Sequence, residues 1–509
     1  MAVAAFWDVF ELRMKVLECL RDDRCDADLA RCARVHSTWT DLALNALWLG
    51  YPRTQDDNDD SNRKRTEAIA LLPRNRRQDY ASRISVLDFS KLGGRLFHAM
   101  FDRLKFPRLK ELVLSNAGPE ISTKSEGFRL SKYLQSALES LKFVDVSDDD
   151  SINWLTASFL VDVAKICSSV KEVSFRIPYV PIEPSDLARF FRSIRPQMVF
   201  LDFGENTRSM LTLDLLCALS HGGCLESLAF APGEGESTDV EVEHLQSFAD
   251  ATRNSFRSLK RLDMALDGRA ISWIPQCFPM ITWLRVNIFS HHRDESILKP
   301  LASMSHLQFL EIVGEGRDRD YEFCLPARSF IPLGSLSQLK SLNIGTSFFP
   351  FCMREEDSDK PEGFSLDARF LKADASDMFS GLIALEHLSI NALDYESPDH
   401  LWESISEFCP RLSSIEFVDS LDLWSLVLPN APVLENVTDM AIEQIRGRMQ
   451  LDVIQAVRII DNFAPKLQRL RCTGECSISQ DVCTTWAEFR TTQEYFWFRG
   501  RPRIEELAV

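Results

Sequence analysis

The 509-residue sequence lacks features that mark several common classes of protein. It has no apolar run near the roughly 20 residues that a membrane-spanning helix needs. Its formal net charge is −17, whereas nucleic-acid-binding proteins usually concentrate lysine and arginine on one face. Its first residues, MAVAAFWDVFELRMKV, lack the basic segment that opens a secretory signal. We therefore expect a soluble intracellular protein that binds neither membranes nor nucleic acid.

The thirteen cysteines lack the dense, regular spacing of a secreted disulfide scaffold, and their number is odd. This favours reduced thiols and hence a cytoplasmic or nuclear location, or both. Cys472, Cys476 and Cys483 contain no C-x-x-C pair and have no histidine nearby. We therefore predict no metal site and no cofactor.

A catalytic constellation is also missing from the sequence. The segment SHGGC at residues 220–224 has no accompanying G-x-S-x-G motif and is interpreted as a turn. Two Gly-Glu-Gly stretches, beginning at Gly233 and Gly314, lack the third glycine of a dinucleotide-binding loop. The sequence therefore predicts a protein that is not an enzyme.

A repeated hexamer of the form L-x-x-L-x-L is the main feature of the chain. LKELVL, which begins at Leu109, shows it most clearly. The other copies begin at Ile84, Leu138, Val170, Met198, Leu225, Leu259, Ile281, Leu307, Leu339, Leu385, Leu412, Leu434 and Leu467. Because alternate side chains of a strand point to the same side, positions 4 and 6 predict the buried face of a short strand.

The segments between the hexamers have a helical period. The stretch from Ser158 to Cys167 places apolar residues at steps of three and four, as an amphipathic helix does. This alternation of strands and helices, at a mean spacing of about 29 residues, resembles leucine-rich repeat proteins. The asparagine or cysteine that this family carries at its ninth repeat position is missing here. The resemblance implies an α/β fold: an irregular right-handed solenoid over residues 81–480, followed by an aromatic cap or tail over 481–509.

Two apolar series with helical spacing precede the repeats, at residues 8–20 and 29–47. The residues that resemble the F-box motif, at that family's spacing, are Glu11, Leu12, Val16, Leu17, Leu20, Leu29, Cys32, Val35 and Trp39. Asp8-Val9 replaces the Leu-Pro that opens the motif, and His36 and Ser37 replace its usual cysteine and basic residue. The chain is similar to fungal F-box proteins with degenerate leucine-rich repeats, which implies a small helical module over residues 5–52.

Residues 53–80 join the two predicted parts. An acidic run at 56–60 precedes basic clusters at 63–65 and 74–77. This order favours a solvated, self-neutralising linker with a connecting helix over a nuclear localisation signal.

The F-box resemblance implies a non-catalytic role, that of the substrate-recognition subunit of an SCF-type cullin–RING ubiquitin ligase. The helical module would bind a Skp-type adaptor, and the solenoid would bind an unidentified protein substrate. The residues implied in adaptor binding are Val9, Phe10, Leu12, Val16, Leu17, Leu20, Leu29, Val35 and Trp39. The candidate substrate-binding residues are Phe348, Phe349, Phe351, Tyr495 and Trp497. An alternative stays open: the first helices only cap the edge of the sheet, in a leucine-rich repeat scaffold without ligase function.

Overall fold

The computed structural model describes most of the chain between Phe10 and Thr491. The described residues, to which the structural statements below refer, are 10–50, 61–90, 100–101, 103–115, 130–144, 155–177, 182–194, 197–203, 211–220, 223–230, 239–251, 256–288, 296–314, 327–345, 372–390, 398–423, 425–427, 433–446, 452–472 and 477–491. The chain forms two compact units, Met1–Gly233 and Glu234–Val509.

In the described part of the first unit, five helices precede the first strand. They are α1 (Phe10–Asp22), α2 (Asp26–Val35), α3 (Ser37–Leu49), α4 (Ser61–Leu71) and α5 (Arg74–Ala81). The first three form a helical module whose small core contains one buried residue from each helix: Leu17, Leu29 and Ala43. The apolar spacing of the sequence produces this core, because residues three and four apart share one face of a helix.

The first unit continues with six parallel strands. They are β1 (Val86–Asp88), β2 (Glu111–Ser115), β3 (Ser140–Val144), β4 (Glu172–Arg176), β5 (Phe200–Phe203) and β6 (Ser227–Phe230). Each pairs in parallel with the next. A 3₁₀ helix, Leu130–Tyr133, and three α-helices, α6 (Ala157–Ile166), α7 (Pro184–Ile194) and α8 (Leu213–Ser220), lie between strands in sequence.

The second unit contains eight parallel strands. They are β7 (Arg261–Leu266), β8 (Trp283–Ile288), β9 (Phe309–Gly314), β10 (Ser341–Gly345), β11 (His387–Ile390), β12 (Ser414–Asp422), β13 (Asp439–Arg446) and β14 (Arg469–Cys472). Successive strands pair in parallel here too. Its α-helices are α9 (Asp239–Ala251), α10 (Ile274–Cys277), α11 (Lys372–Phe379), α12 (Pro398–Phe408), α13 (Val453–Phe463) and α14 (Ser477–Thr491). Its 3₁₀ helices are Gly268–Trp273, Lys299–Ser303, Ala327–Ser335 and Ser425–Val427.

The repeated hexamer accounts for the strands and for the core. In LKELVL, Leu109, Leu112 and Leu114 at positions 1, 4 and 6 are all buried, and β2 begins at position 3. The same offset between hexamer and strand holds at thirteen of the fourteen predicted copies. The α/β leucine-rich repeat architecture predicted from the sequence is therefore confirmed.

One predicted copy has the wrong register. The hexamer predicted at Leu434 would put Asp439 at the apolar sixth position. Pairing of β13 with β12 sets Met440 beside Ile415 and Ile442 beside Phe417, so the hexamer begins at Val437. Leu434 is also buried, but it belongs to the turn before the strand.

The segment predicted as a solvated linker contains a buried cation. Arg65 in α4 is 7% exposed, and its guanidinium contacts both carboxylate oxygens of Asp26 at 2.6 and 2.7 Å. This ion pair joins two residues that are 39 positions apart in the sequence. The basic cluster is therefore part of the packed structure at this position.

None of the described helices is both long and apolar enough to cross a lipid bilayer.

Candidate functional site

The helical module divides the residues that resemble the F-box between its core and its surface. Leu17 and Leu29 are buried, and Leu20 and Trp39 pack against them. These side chains hold the three helices together. Leu12 and Val16 are half-buried on α1, while Phe10 and Val35 are exposed. Val9 lies outside the described residues.

Phe10 and Val35 are the exposed large apolar residues of the described part of the helical module. Phe10 is 53% exposed and Val35 is 75% exposed, although both are large and apolar. The Arg13 guanidinium donates a hydrogen bond to the Thr38 carbonyl, which sets the first turn of α1 beside the junction of α2 and α3. Phe10 is three positions before Arg13, and Val35 is three positions before Thr38. The module therefore exposes one apolar side chain on the first turn of α1 and another at the end of α2.

The edge of β1 is closed mainly by α4 and by the end of α3. The Ser85 N–H donates to the Leu49 carbonyl at 3.2 Å, and the Asp88 N–H donates to the Thr66 hydroxyl at 3.0 Å. Gly50 ends α3 with a φ of 83°, and a side chain there would lie 3.2 Å from Val86. These bonds satisfy backbone groups that an edge strand would otherwise leave without partners. The residues that close this edge of the sheet are therefore different from Phe10 and Val35.

The second unit presents a stack of planar side chains on the outer face of its strands, the side that carries hexamer positions 3 and 5. Arg261, Trp283 and Phe309 occupy position 3 of β7, β8 and β9, and strand pairing sets them side by side. The Trp283 and Phe309 ring centroids are 4.7 Å apart, with their planes at 7°. The Arg261 guanidinium lies 3.9 Å from the Trp283 ring centroid. All three side chains are partly exposed. We call this set the outer stack.

A row of charged and amide side chains runs beside the outer stack, at position 5 of β7, β8, β9 and β10. Arg285 lies 3.8 Å from an Asp263 carboxylate oxygen and 3.5 Å from a Glu311 carboxylate oxygen. The Asn343 amide donates to Glu311 at 3.2 Å. One guanidinium therefore faces two carboxylates, so the row keeps a negative charge beside the cation of Arg261. This combination of stacked rings, amide and charges can bind a polar peptide surface.

The outer face of the first unit has a different character. Lys142 lies between Glu111 at 3.1 Å and Glu172 at 3.5 Å. Asp202 accepts hydrogen bonds from the Ser174 hydroxyl at 3.1 Å and from the Arg176 guanidinium at 2.9 Å. Here the charged groups are directed at one another along the sheet. The outer stack is the more suitable anchor for a partner, because Trp and Arg supply most of the residues that dominate binding energy at interfaces.

The substrate-binding residues proposed from the sequence lie outside the described residues: Phe348, Phe349, Phe351, Tyr495 and Trp497. The outer stack was missed because the sequence analysis used only positions 1, 4 and 6 of each hexamer. The signal was present, since ITWLRV and LQFLEI both carry an aromatic residue at the outward third position.

The segments considered for chemistry have few described features. Ser220 ends α8 and donates its hydroxyl to the Cys217 carbonyl at 3.1 Å, while His221 and Gly222 lie outside the described residues. Within the described ranges, no group of three or more His, Cys, Asp or Glu side chains is arranged to hold a metal ion.

Comparison with known proteins leaves the family open. No family model matches the chain, and no curated protein matches its sequence. Among solved structures, a chain of the TLR13–ssRNA13 complex matches with 13% identity and a TM-score of 0.34. That match covers 80% of this chain and 60% of the other. The assignment of the fold rests on the strand pairing and burial described above.

Proposed function

We propose that the chain is the substrate-recognition subunit of a cullin–RING ubiquitin ligase. Its helical module binds a Skp-type adaptor, and its repeats bind a protein substrate. The observation that carries the proposal is the exposure of Phe10 and Val35 on a module whose core is complete without them. The hydrogen bonds that close the edge of β1 come from α4 and the end of α3, and they involve neither of these side chains.

The proposed activity is tethering. A receptor of this kind raises the effective concentration of the substrate near the ubiquitin-charged enzyme, and none of its own residues performs a chemical step. The outer stack is the proposed anchor for the substrate, because its rings are held in place by neighbouring strands before any partner arrives. Such preorganisation reduces the entropy lost on binding.

A second candidate is a repeat scaffold without ligase function, in which all the first helices serve as a cap. The ion pair of Arg65 with Asp26 favours it, because this pair ties α2 to α4 and so to the sheet. The two candidates differ in what they require of Phe10 and Val35. The ligase receptor needs both side chains exposed for binding, whereas the scaffold gives them no role.

The test is a binding measurement between the full chain and a purified Skp-type adaptor, with a known F-box protein as the positive control. We expect the wild-type chain to bind, and Phe10→Asp together with Val35→Asp to weaken binding by at least about tenfold, or about 1.4 kcal/mol. The matched control is Val161→Asp on α6, where the native side chain is likewise 56% exposed. It should bind as the wild type does.

Thr66→Val separates capping from docking. Thr66 is fully buried and accepts the Asp88 N–H, so this change should lower stability and leave adaptor affinity intact. If the wild-type chain fails to bind the adaptor when the positive control binds, the ligase proposal is wrong and the scaffold remains.

A further inference from the structure

Two cysteines meet at the end of the second unit. Cys472 is the last residue of β14, and Cys483 lies on α14. Their sulfur atoms are 3.0 Å apart, although 11 residues separate them in the sequence. Both side chains are partly exposed.

The packing of α14 fixes this approach. Ser479, Val482 and Trp486 are buried and follow one another at helical spacing on the same face as Cys483. The Ser479 hydroxyl accepts a hydrogen bond from the Ile445 N–H of β13 at 2.9 Å. The helix is thereby held against the last strands, and the thiol of Cys483 is directed at Cys472.

Other cysteines of the chain have a different environment. Burial raises the pKa of Cys167 to about 11 and that of Cys277 and Cys409 to about 12, so these thiols stay protonated in the core. The pKa of Cys483 is lowered, mainly because of its side-chain hydrogen bond with Cys472 and despite the opposing effect of burial. Since the thiolate is the reactive form of cysteine, Cys483 is a better nucleophile than these buried cysteines.

We infer that Cys472 and Cys483 form a dithiol modification site, which a peroxide oxidises to an intramolecular disulfide joining α14 to β14. A disulfide has a sulfur–sulfur distance of about 2.05 Å, so the two atoms need to approach by only about 1 Å. This inference is independent of the proposed ligase function.

The reaction proceeds in two balanced steps. The Cys483 thiolate attacks one oxygen of hydrogen peroxide, and the O–O bond breaks. This step forms a Cys483 sulfenic acid and releases hydroxide. The Cys472 sulfur then attacks the sulfenic sulfur, the S–S bond forms, and the sulfenic oxygen departs as water. The Cys472 proton leaves with the sulfenic oxygen in this water, and the proton that Cys483 lost on ionisation neutralises the hydroxide of the first step. Overall, two thiols and one peroxide give one disulfide and two waters.

Oxidation should make the last repeat more resistant to local opening. The disulfide closes a short loop between β14 and α14, and closing such a loop restricts the opened state. Amide hydrogen exchange in β14 should slow by on the order of 100-fold after oxidation. A dithiol reductant should restore the original exchange rate.

The test uses the full chain, reduced under anaerobic conditions and then titrated with hydrogen peroxide. Peptide mapping by mass spectrometry without reductant should find one cross-linked species that contains Cys472 and Cys483, lighter by two hydrogen atoms than its reduced form. Cys483→Ser should abolish this species. Cys476→Ser is the matched control, because it removes the cysteine between the pair in sequence and should leave the cross-link intact.

Two outcomes would overturn the inference. In the first, Cys476 forms the cross-link with either neighbour. In the second, the exposed thiols of Cys19 and Cys224 oxidise while Cys472 and Cys483 remain reduced.

A second experiment needs no variant. Phenylarsine oxide, which bridges close dithiols, should protect both Cys472 and Cys483 of the wild-type chain from alkylation. Alkylation of both at the unprotected rate would contradict the proposed site.

Discussion

Each unit stacks aromatic rings across its parallel strands, in the first unit at the core-facing sixth hexamer position and in the second at the outward third position. In the first unit, Phe143, Phe175, Phe203 and Phe230 occupy position 6 of β3 to β6, with centroids 4.8 to 5.5 Å apart and planes within 16°. All four are buried. In the second unit, the rings of Trp283 and Phe309 stack at position 3, which is partly exposed.

The cause of stacking is the same in both units. Parallel strands in register set equal positions about 4.8 Å apart, a distance at which aromatic rings stack. Position 6 faces the core, so the phenylalanine stack contributes apolar burial to stability. From β7 to β11 that position is aliphatic, and the aromatic residues lie on the outer face instead. One repeat geometry can therefore use ring stacking either to hold the core or to present a surface.

Removal of a ring from the buried stack should have the largest effect. Phe203→Ala should lower the free energy of unfolding by about 3–5 kcal/mol, because Phe203 is fully buried and contacts rings on both sides. Urea unfolding of the full chain and hydrogen exchange in β5 measure this. Phe203→Leu, which keeps an apolar side chain there, should cost much less. A loss below about 1 kcal/mol for the alanine variant would contradict a core role for the stack.

The outer stack should tolerate the same kind of change. Trp283→Ala removes one ring pair and one cation–π contact, and its expected stability cost is about 1–2 kcal/mol. The same two measurements apply, with hydrogen exchange followed in β8. A cost equal to that of Phe203→Ala would mean that the outer stack is structural, and the distinction between the two faces would fail.

The smallest expected effect concerns charge at the second position of the hexamers in the first unit. Glu139 pairs with Lys110 at 2.9 Å and Lys171 at 3.6 Å, and the hydrogen bond from Lys110 is the main reason that the pKa of Glu139 is lowered from its ordinary value of 4.5. A carboxyl group whose pKa is depressed on folding stabilises the fold above its unfolded pKa, and this contribution is lost as the pH falls through the folded pKa.

Glu139→Gln should therefore cost about 0–1 kcal/mol at pH 7, the range of exposed ion pairs. The difference from the wild type should disappear below the folded pKa of the carboxyl group, at a pH lower than 4.5, and shrink in high salt. Urea unfolding of both proteins across this pH range gives the comparison. An undiminished difference in acid would assign the effect to packing rather than to charge.

Features that depend on a short sequence pattern could be predicted, whereas features that depend on contacts between distant residues could not. The strands and their buried positions could be predicted because alternation is visible within six residues. The register error at Leu434 arose because Leu434 and Val437 fit the first and fourth positions, although Asp439 does not fit the sixth. The pairing of β13 with β12 sets the hexamer at Val437 instead. The burial of Arg65 was unpredictable for a similar reason, since its partner Asp26 is distant in the sequence.

The candidate sites show the same limit. The two-helix spacing of the amino-terminal segment predicted a helical module, yet it could not assign Leu17 to the core and Phe10 to the surface. Both residues are apolar, and only the packing of three helices distinguishes them. The outer stack joins residues at the third position of successive hexamers, which strand pairing brings together, whereas no local pattern connects Cys472 with Cys483.

The repeat, its period and the core-facing residues of thirteen of the fourteen strands could be predicted from the sequence. These properties follow from the alternation of side chains along a strand and from the free energy of apolar burial, both of which act locally. The tertiary structure alone decided which equal positions lie side by side, because strand register is a property of pairs of segments. That register makes one row of rings a buried core, and it places Arg261, Trp283 and Phe309 together on the face where a partner can reach them.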